Sequence, residues 1–278
     1  MRAVGIILAG GNNNRMKELT HKRAVAAMPI AGSYRSIDFA LSNMTNSHIQ
    51  KVAVLTQYNA RSLNEHLNSS KWWNFGRKQG GLYVFTPTIT NDNGYWYRGT
   101  ADAIYQNMDF LKKSHEPYVV IASGDAVYKM DYSKVLQYHI DKKADVTVVC
   151  KEMDPSDDVS RFGTIRMDDD MRITEFEEKP MVTKSNMIST GIYVIRRRLL
   201  IDLIEHAAEE ERFDFVNDVL IRYKNLKKIY GYKIDHYWSN IATVDAYYKT
   251  NMDFLKPEVR NYFFKQDPEI YSKVSDLP

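Results

Sequence analysis

The chain has 278 residues, 44% hydrophobic and 26% charged, with a formal net charge of +3. That composition can bury a full core and excludes disordered, collagenous and membrane classes. Its Lys and Arg are scattered rather than gathered into the basic stripe that nucleic acid requires, and one cysteine with seven unclustered histidines leaves neither a disulfide scaffold nor a zinc site.

Val4 to Ala9 is an apolar run of strand length, too short for a signal segment or a membrane span, so cytoplasmic residence is the expectation. Val52 to Thr56, Tyr118 to Ala122 and Val146 to Cys150 are further short, β-rich runs bounded by polar turns. Helical spacing lies between them, in Ala101, Ile104, Tyr105, Met108 and Leu111, and in Tyr132, Val135, Leu136 and Ile140. The alternation predicts an α/β fold with a mostly parallel central sheet flanked by helices. Residues 71–98, rich in Trp, Tyr, Gly and Asn, read as an irregular insertion. Phe162 to Met167 and Ile173 to Phe176 flank an Asp-rich turn and predict a hairpin. Leu199 to Ala207 and Val244 to Leu255 read as helices, with a strand within Leu226 to Tyr232 and Pro257 closing the last helix.

Four constellations could carry chemistry. Gly10 and Gly11 leave the first strand, followed by Arg15, Lys22 and Arg23; backbone N–H groups of such a turn can cradle phosphate, although a Gly-Gly turn also occurs simply as a turn. Asp125 follows the Tyr118 strand at its carboxyl end, where a carboxylate could hold Mg²⁺ against substrate phosphates or cap a turn. In Gly99-Thr100-Ala101-Asp102, Thr100 can cap the next helix, whose free N–H groups can face a ligand. Glu178 and Lys179 end an alternating strand before Pro180, as a sugar-phosphate contact or a solvated charge run.

Taken together, LAGG at 8–11, YRSIDFALSN at 34–43, LTQY at 55–58, WYRGTADAIYQN at 96–107, SGDAVYKMDY at 123–132, FEEKP at 176–180 and STGIY at 189–193 resemble the glucose-1-phosphate adenylyltransferase (ADP-glucose pyrophosphorylase) family. The resemblance implies a Rossmann-like sugar nucleotidyltransferase fold. It also implies reaction of ATP with glucose 1-phosphate to ADP-glucose and pyrophosphate, with Mg²⁺, in glycogen biosynthesis. Under it, Gly10, Gly11 and Arg15 would contact the triphosphate, Gln57, Tyr97, Gly99, Thr100 and Asp102 the nucleotide, and Asp125 the metal. Glu178, Lys179, Ser189 and Gly191 would line the glucose-phosphate pocket.

Five positions depart from the family pattern. Asn13 and Asn14 stand where a glycine and a threonine are usual, Val25 where a lysine, Ala126 where a histidine, and Asn240 where a metal-binding aspartate. Losing a charge-stabilising group costs on the order of 10²- to 10³-fold in rate. The Asn-rich loop at 12–14 and the run Arg23-Ala24-Val25-Ala26-Ala27 resemble most closely the GlgD-type regulatory subunit, a catalytically impaired member acting with a catalytic paralogue or as a homo-oligomer. An active adenylyltransferase and a non-enzymatic sensor of nucleotide or sugar phosphate are the alternatives. The expected layout is a catalytic-type domain over 1–256 and a linker over 257–278, without the left-handed β-helix that family members carry next.

Overall fold

A computed structural model describes residues 2–11, 14–76, 80–89 and 94–273. The strands in chain order are β1 (Ala3–Ala9), β2 (Pro29–Ile30), β3 (Tyr34–Arg35), β4 (Lys51–Thr56), β5 (Gly81–Phe85), β6 (Tyr118–Ser123), β7 (Ala126–Tyr128), β8 (Val146–Glu152), β9 (Gly163–Met167), β10 (Ile173–Glu178), β11 (Met187–Arg196), β12 (Ile229–Ile234) and β13 (Trp238–Asn240). The α-helices are α1 (Ser36–Asn46), α2 (Arg61–Leu67), α3 (Thr100–Gln106), α4 (Met108–Lys112), α5 (Tyr132–Asp141), α6 (Arg197–Glu209), α7 (Val244–Asp253) and α8 (Pro257–Phe264). They form an α/β fold of two compact units, one spanning 4–86, 122–132 and 236–278, the other 1–3, 87–121 and 133–235. We call them the glycine-turn unit and the hairpin unit.

In the glycine-turn unit, β1, β4 and β5 run parallel in register, from Gly5 opposite Val52 and from Lys51 opposite Gly81. Val4, Ile6 and Ile7 are all buried, as expected of a strand covered on both faces. α1 buries Ile37, Phe39, Leu41 and Met44. A Cβ at Gly5 would stand 2.8 Å from the Met44 sulfur, so the glycine sets how near that helix lies. Strand β5 corrects the reading of residues 71–98 as irregular: its register against β4 is regular, and only flanking glycines and loops disguise it.

The described residues after α7 are also packed onto this unit. Pro257 opens α8 instead of closing α7, in keeping with a fixed φ at a first helical position. Phe263 and Ile270 join Met16, Val25, Met28, Ile30, Phe39, Val127, Ile241 and Phe254 in one apolar cluster. The buried Lys129 ammonium donates to the carbonyls of Tyr262 (2.7 Å) and Gln266 (2.5 Å). Asp38, fully buried, accepts from the Ser272 hydroxyl at 2.6 Å and lies 2.6 Å from His66 Nε2.

In the hairpin unit, β8 pairs antiparallel with β11 and parallel with β12, while β11 also pairs antiparallel with β6 and β9. The predicted hairpin is present as β9 and β10. Cys150 lies buried in β8, and burial pushes its thiol up to about 12. The single predicted helix through Met108 is two, because Asn107 turns its amide to the Ala103 carbonyl (2.8 Å) and the Tyr97 hydroxyl (2.9 Å). Among the described residues no helix is long and apolar enough to cross a membrane.

Candidate functional site

The predicted phosphate and metal residues converge within the glycine-turn unit. β1 ends at Ala9, leaving Gly10 half-buried and Gly11 exposed. A Cβ at Gly10 would lie 3.1 Å from the Gln57 Cβ, so the turn packs beside the end of β4; a Cβ at Gly11 would meet only open space. Asn13 lies outside the described residues. Asn14 and Arg15 begin an exposed segment of 3-10 turns, Asn14–Thr20.

Asp125 sits in the turn between β6 and β7, and this turn is tied to its surroundings residue by residue. Gly124 donates its N–H to the Leu8 carbonyl at 2.9 Å, which places the Asp125 turn against the strand that carries Gly10. The Gly124 carbonyl accepts from the buried Ser36 hydroxyl at 2.9 Å. The Ser123 hydroxyl donates to Asp125 Oδ1 at 2.5 Å. A Cβ on Gly124 would come within 3.1 Å of the Ala26 Cβ and 3.3 Å of the Ala9 Cβ, so a side chain there would wedge the turn away from both neighbours.

The departures from the family pattern fall around the same turn. Ala126 pairs with Asn240 in the β7–β13 ladder, and the Asp125 carbonyl accepts from Ile241 N–H at 2.9 Å. Asn240 Oδ1 accepts from Ala242 N–H at 3.1 Å. Val25, in the 3-10 turn Val25–Ala27, is 8% exposed, and its side chain belongs to the apolar cluster with Val127 and Ile241. The Val25 position is thus filled with hydrocarbon. The described residues contain no group of three metal-binding side chains. The Asp125 carboxylate, with one oxygen bonded to Ser123 on a turn tied to β1, is an oxygen donor of the kind magnesium takes.

Gln57 apart, the predicted nucleotide and sugar residues lie in the hairpin unit. Tyr97 is buried, and burial raises its phenol above the usual range, against the opposing bond from Asn107. Asp102, also buried, accepts from Arg98 N–H (2.8 Å) and Gln106 Nε2 (3.0 Å) and pairs with the Arg98 guanidinium, which stacks 3.8 Å over the Phe213 ring. The structure corrects the expectation that Thr100 caps α3 with its N–H groups open to a ligand. The Phe213 carbonyl accepts from Ala101 (2.8 Å) and Asp102 (3.3 Å), and Thr100 Oγ1 accepts from Phe215 N–H at 2.9 Å. Gly99 is required for this closure, since a Cβ there would fall 2.3 Å from the Phe213 oxygen.

Glu178 ends β10, half-buried, with Lys179 Nζ 3.3 Å from its Oε1. Burial raises the Glu178 carboxyl above its usual range, the Lys179 charge opposes, and Asp214 adds to the rise. Lys179 has φ 47°, an uncommon conformation for a side-chain-bearing residue, and points outward. Ser189 and Gly191 lie where the β11–β8 register shifts, with Gly191 at φ 76°. Ser189 Oγ and the buried Tyr193 hydroxyl are 3.2 Å apart. The same charges of Glu178 and Asp214 act on Tyr193, so these four groups form one cluster.

Phe213 and Asp214 were not signalled by the sequence pattern, and Tyr193 was covered only as the last residue of the STGIY stretch. Residues 213–215 meet 99–102 across more than a hundred positions of chain, and no local period marks such a pairing. The one available signal was composition: an acid between two aromatics, Phe213-Asp214-Phe215, just after a helix.

The nucleotidyl transferase family model matches residues 4–257. The chain is similar to the glucose-1-phosphate adenylyltransferase of Thermosipho melanesiensis, 38% identical over 277 residues that cover 99% of this chain and 67% of that protein. The enzyme of the same name from Clostridium novyi is 40% identical over 278 residues, covering 99% and 72%. That from Bacillus anthracis is 41% identical over 274 residues, covering 98% and 73%.

Proposed function

Because the chain belongs to the nucleotidyl transferase family, among the glucose-1-phosphate adenylyltransferases, we propose that it binds ATP and glucose 1-phosphate and joins them. In the reaction a phosphate oxygen of glucose 1-phosphate attacks the α-phosphorus of ATP. The bond from that phosphorus to the β-phosphate bridging oxygen breaks, and pyrophosphate leaves as ADP-glucose forms. The Gly10-Gly11 turn and Arg15 take the triphosphate, Gln57 and Tyr97 the nucleoside, and Glu178, Lys179, Ser189 and Gly191 the sugar phosphate. A divalent cation held by Asp125, when bound, supplies positive charge to the phosphates as the bond breaks. The observation that supports this most is the bond from Gly124 N–H to Leu8 O, which fixes a carboxylate-bearing turn against the glycine turn.

A second reading has its own support. Val25 lies within an apolar cluster and Asn240 offers an amide, so a cation and an anion usual in the family are both replaced. On this reading the chain keeps its ligands but turns over weakly, and it acts as a regulatory subunit for a catalytic paralogue.

Pyrophosphate release by the purified chain separates the two. Turnover dependent on ATP, glucose 1-phosphate and magnesium, and lost in Asp125→Asn, is the outcome expected for the enzyme. ATP binding without turnover, together with altered kinetics of an added catalytic paralogue, establishes the regulatory subunit.

A further inference from the structure

We propose that Ser36 and Ser123 are positioning residues that hold the Asp125 carboxylate in its metal-binding attitude. The proposal rests on the reading of Asp125 as the residue that holds the divalent cation. Two hydroxyls reach the 123–125 turn from different elements. Ser36 opens α1, is fully buried, and donates to the Gly124 carbonyl at 2.9 Å, fixing the peptide that leads into Asp125. Ser123 ends β6 and donates to Asp125 Oδ1 at 2.5 Å, which directs one carboxylate oxygen back onto the protein. Oδ2 is then the oxygen to offer outward.

The rest of the turn is held by backbone alone, through Gly124 N–H to Leu8 O and Ile241 N–H to Asp125 O. Those bonds fix the main chain but leave the carboxylate free to rotate about its own side-chain bonds. Among the described residues, the Ser123 hydroxyl restrains its direction directly and the Ser36 hydroxyl does so through the peptide. With Asn240 in place of a second carboxylate, orientation of the remaining one carries more of the cation's affinity. Groups that orient a metal ligand typically govern metal affinity by about 10-fold or more.

The test measures ATP affinity by calorimetry with magnesium and with chelator, and Mn²⁺ binding by electron paramagnetic resonance in the presence of ATP. The variants are Ser36→Ala, Ser123→Ala, Ser123→Thr and Asp125→Asn, each checked for cooperative thermal unfolding. Asp125→Asn is expected to remove the metal-dependent gain in ATP affinity. Ser36→Ala and Ser123→Ala should each reduce that gain and weaken Mn²⁺ by about 10-fold while affinity in chelator stays constant. Ser123→Thr, which keeps the hydroxyl on a strand residue, should restore it. Should Ser36→Ala fail to fold, the Ser123 pair alone decides the outcome. An undiminished metal-dependent gain in the alanine variants, with Asp125→Asn defective, overturns the clamp and leaves the metal reading standing. A gain that survives in Asp125→Asn, or none in the wild-type chain, overturns the metal reading itself.

Discussion

Asn240 and Ala126 are direct partners in the β13–β7 ladder, one residue beyond the turn that bears Asp125. Because Ile241 N–H is bonded to the Asp125 carbonyl, this pairing also fixes how closely β13 approaches the carboxylate. Asn240→Asp therefore adds a second carboxylate on the strand bonded to the Asp125 turn without changing side-chain size. We expect magnesium-dependent pyrophosphate release to rise by roughly 10-fold or more. An unchanged rate, with ATP still bound, would show that the deficit lies elsewhere.

Val25→Lys is expected to act first on stability. The position is 8% exposed within the cluster of Met28, Phe39, Val127 and Ile241, and a lysine must either bury its ammonium or thread it outward along its stem. A loss of about 2 kcal/mol follows, read as a lower urea midpoint at constant slope. A variant as stable as the parent would mean that the turn opens readily to solvent.

Gly99→Ala should disrupt the closure of α3. Its φ of 176° suits any residue, so the effect is steric alone: the new Cβ meets the Phe213 oxygen at 2.3 Å and its carbonyl carbon at 2.8 Å. The cost is about 3 kcal/mol, seen as a lowered melting temperature. Amide hydrogen exchange at Ala101 should accelerate as its bond to Phe213 is stretched. An unaltered melting temperature would contradict the closure.

The hairpin unit should weaken in acid through His139. Burial lowers its pKa to about 4 from 6.5, and the nearby Arg196 charge adds to this while Asp145 opposes. Its Nδ1 lies 2.8 Å from Thr147 Oγ1, and its ring meets Tyr118 edge-on. Between those two values the unfolded chain binds a proton that the folded chain does not. Stability is thus complete above pH 6.5 and is lost as pH falls toward 4, by on the order of 3 kcal/mol. Denaturant midpoints measured across that window should fall in the parent and stay level in His139→Gln.

Strands β1 and β4 were legible because continuous apolar runs such as Val4 to Ala9 have one sensible burial, and the Asp125 turn was legible because it ends such a run. β5 was not, since Gly80 before it and Gly81 at its start mimic a loop and its partner β4 lies thirty residues back. The helix break at Asn107 escaped notice because an apolar stripe continues on both sides, whereas the cause is a side-chain amide reaching backward. Val25 was recognisable as a lost charge, but its role as packing was not. That role depends on Ile241 and Phe263, which only folding brings to it.

The shared hydrocarbon of Val25 and Ile270 also has a mechanical meaning. Packed interiors compress little and pass displacement onward, and here one such interior extends from the turn after Arg23 to the residues held by Lys129 and Asp38. A neighbour that grips residues 265–273 would pull on the floor beneath the Asp125 turn through side chains alone, as a pushrod acts on a valve it never touches.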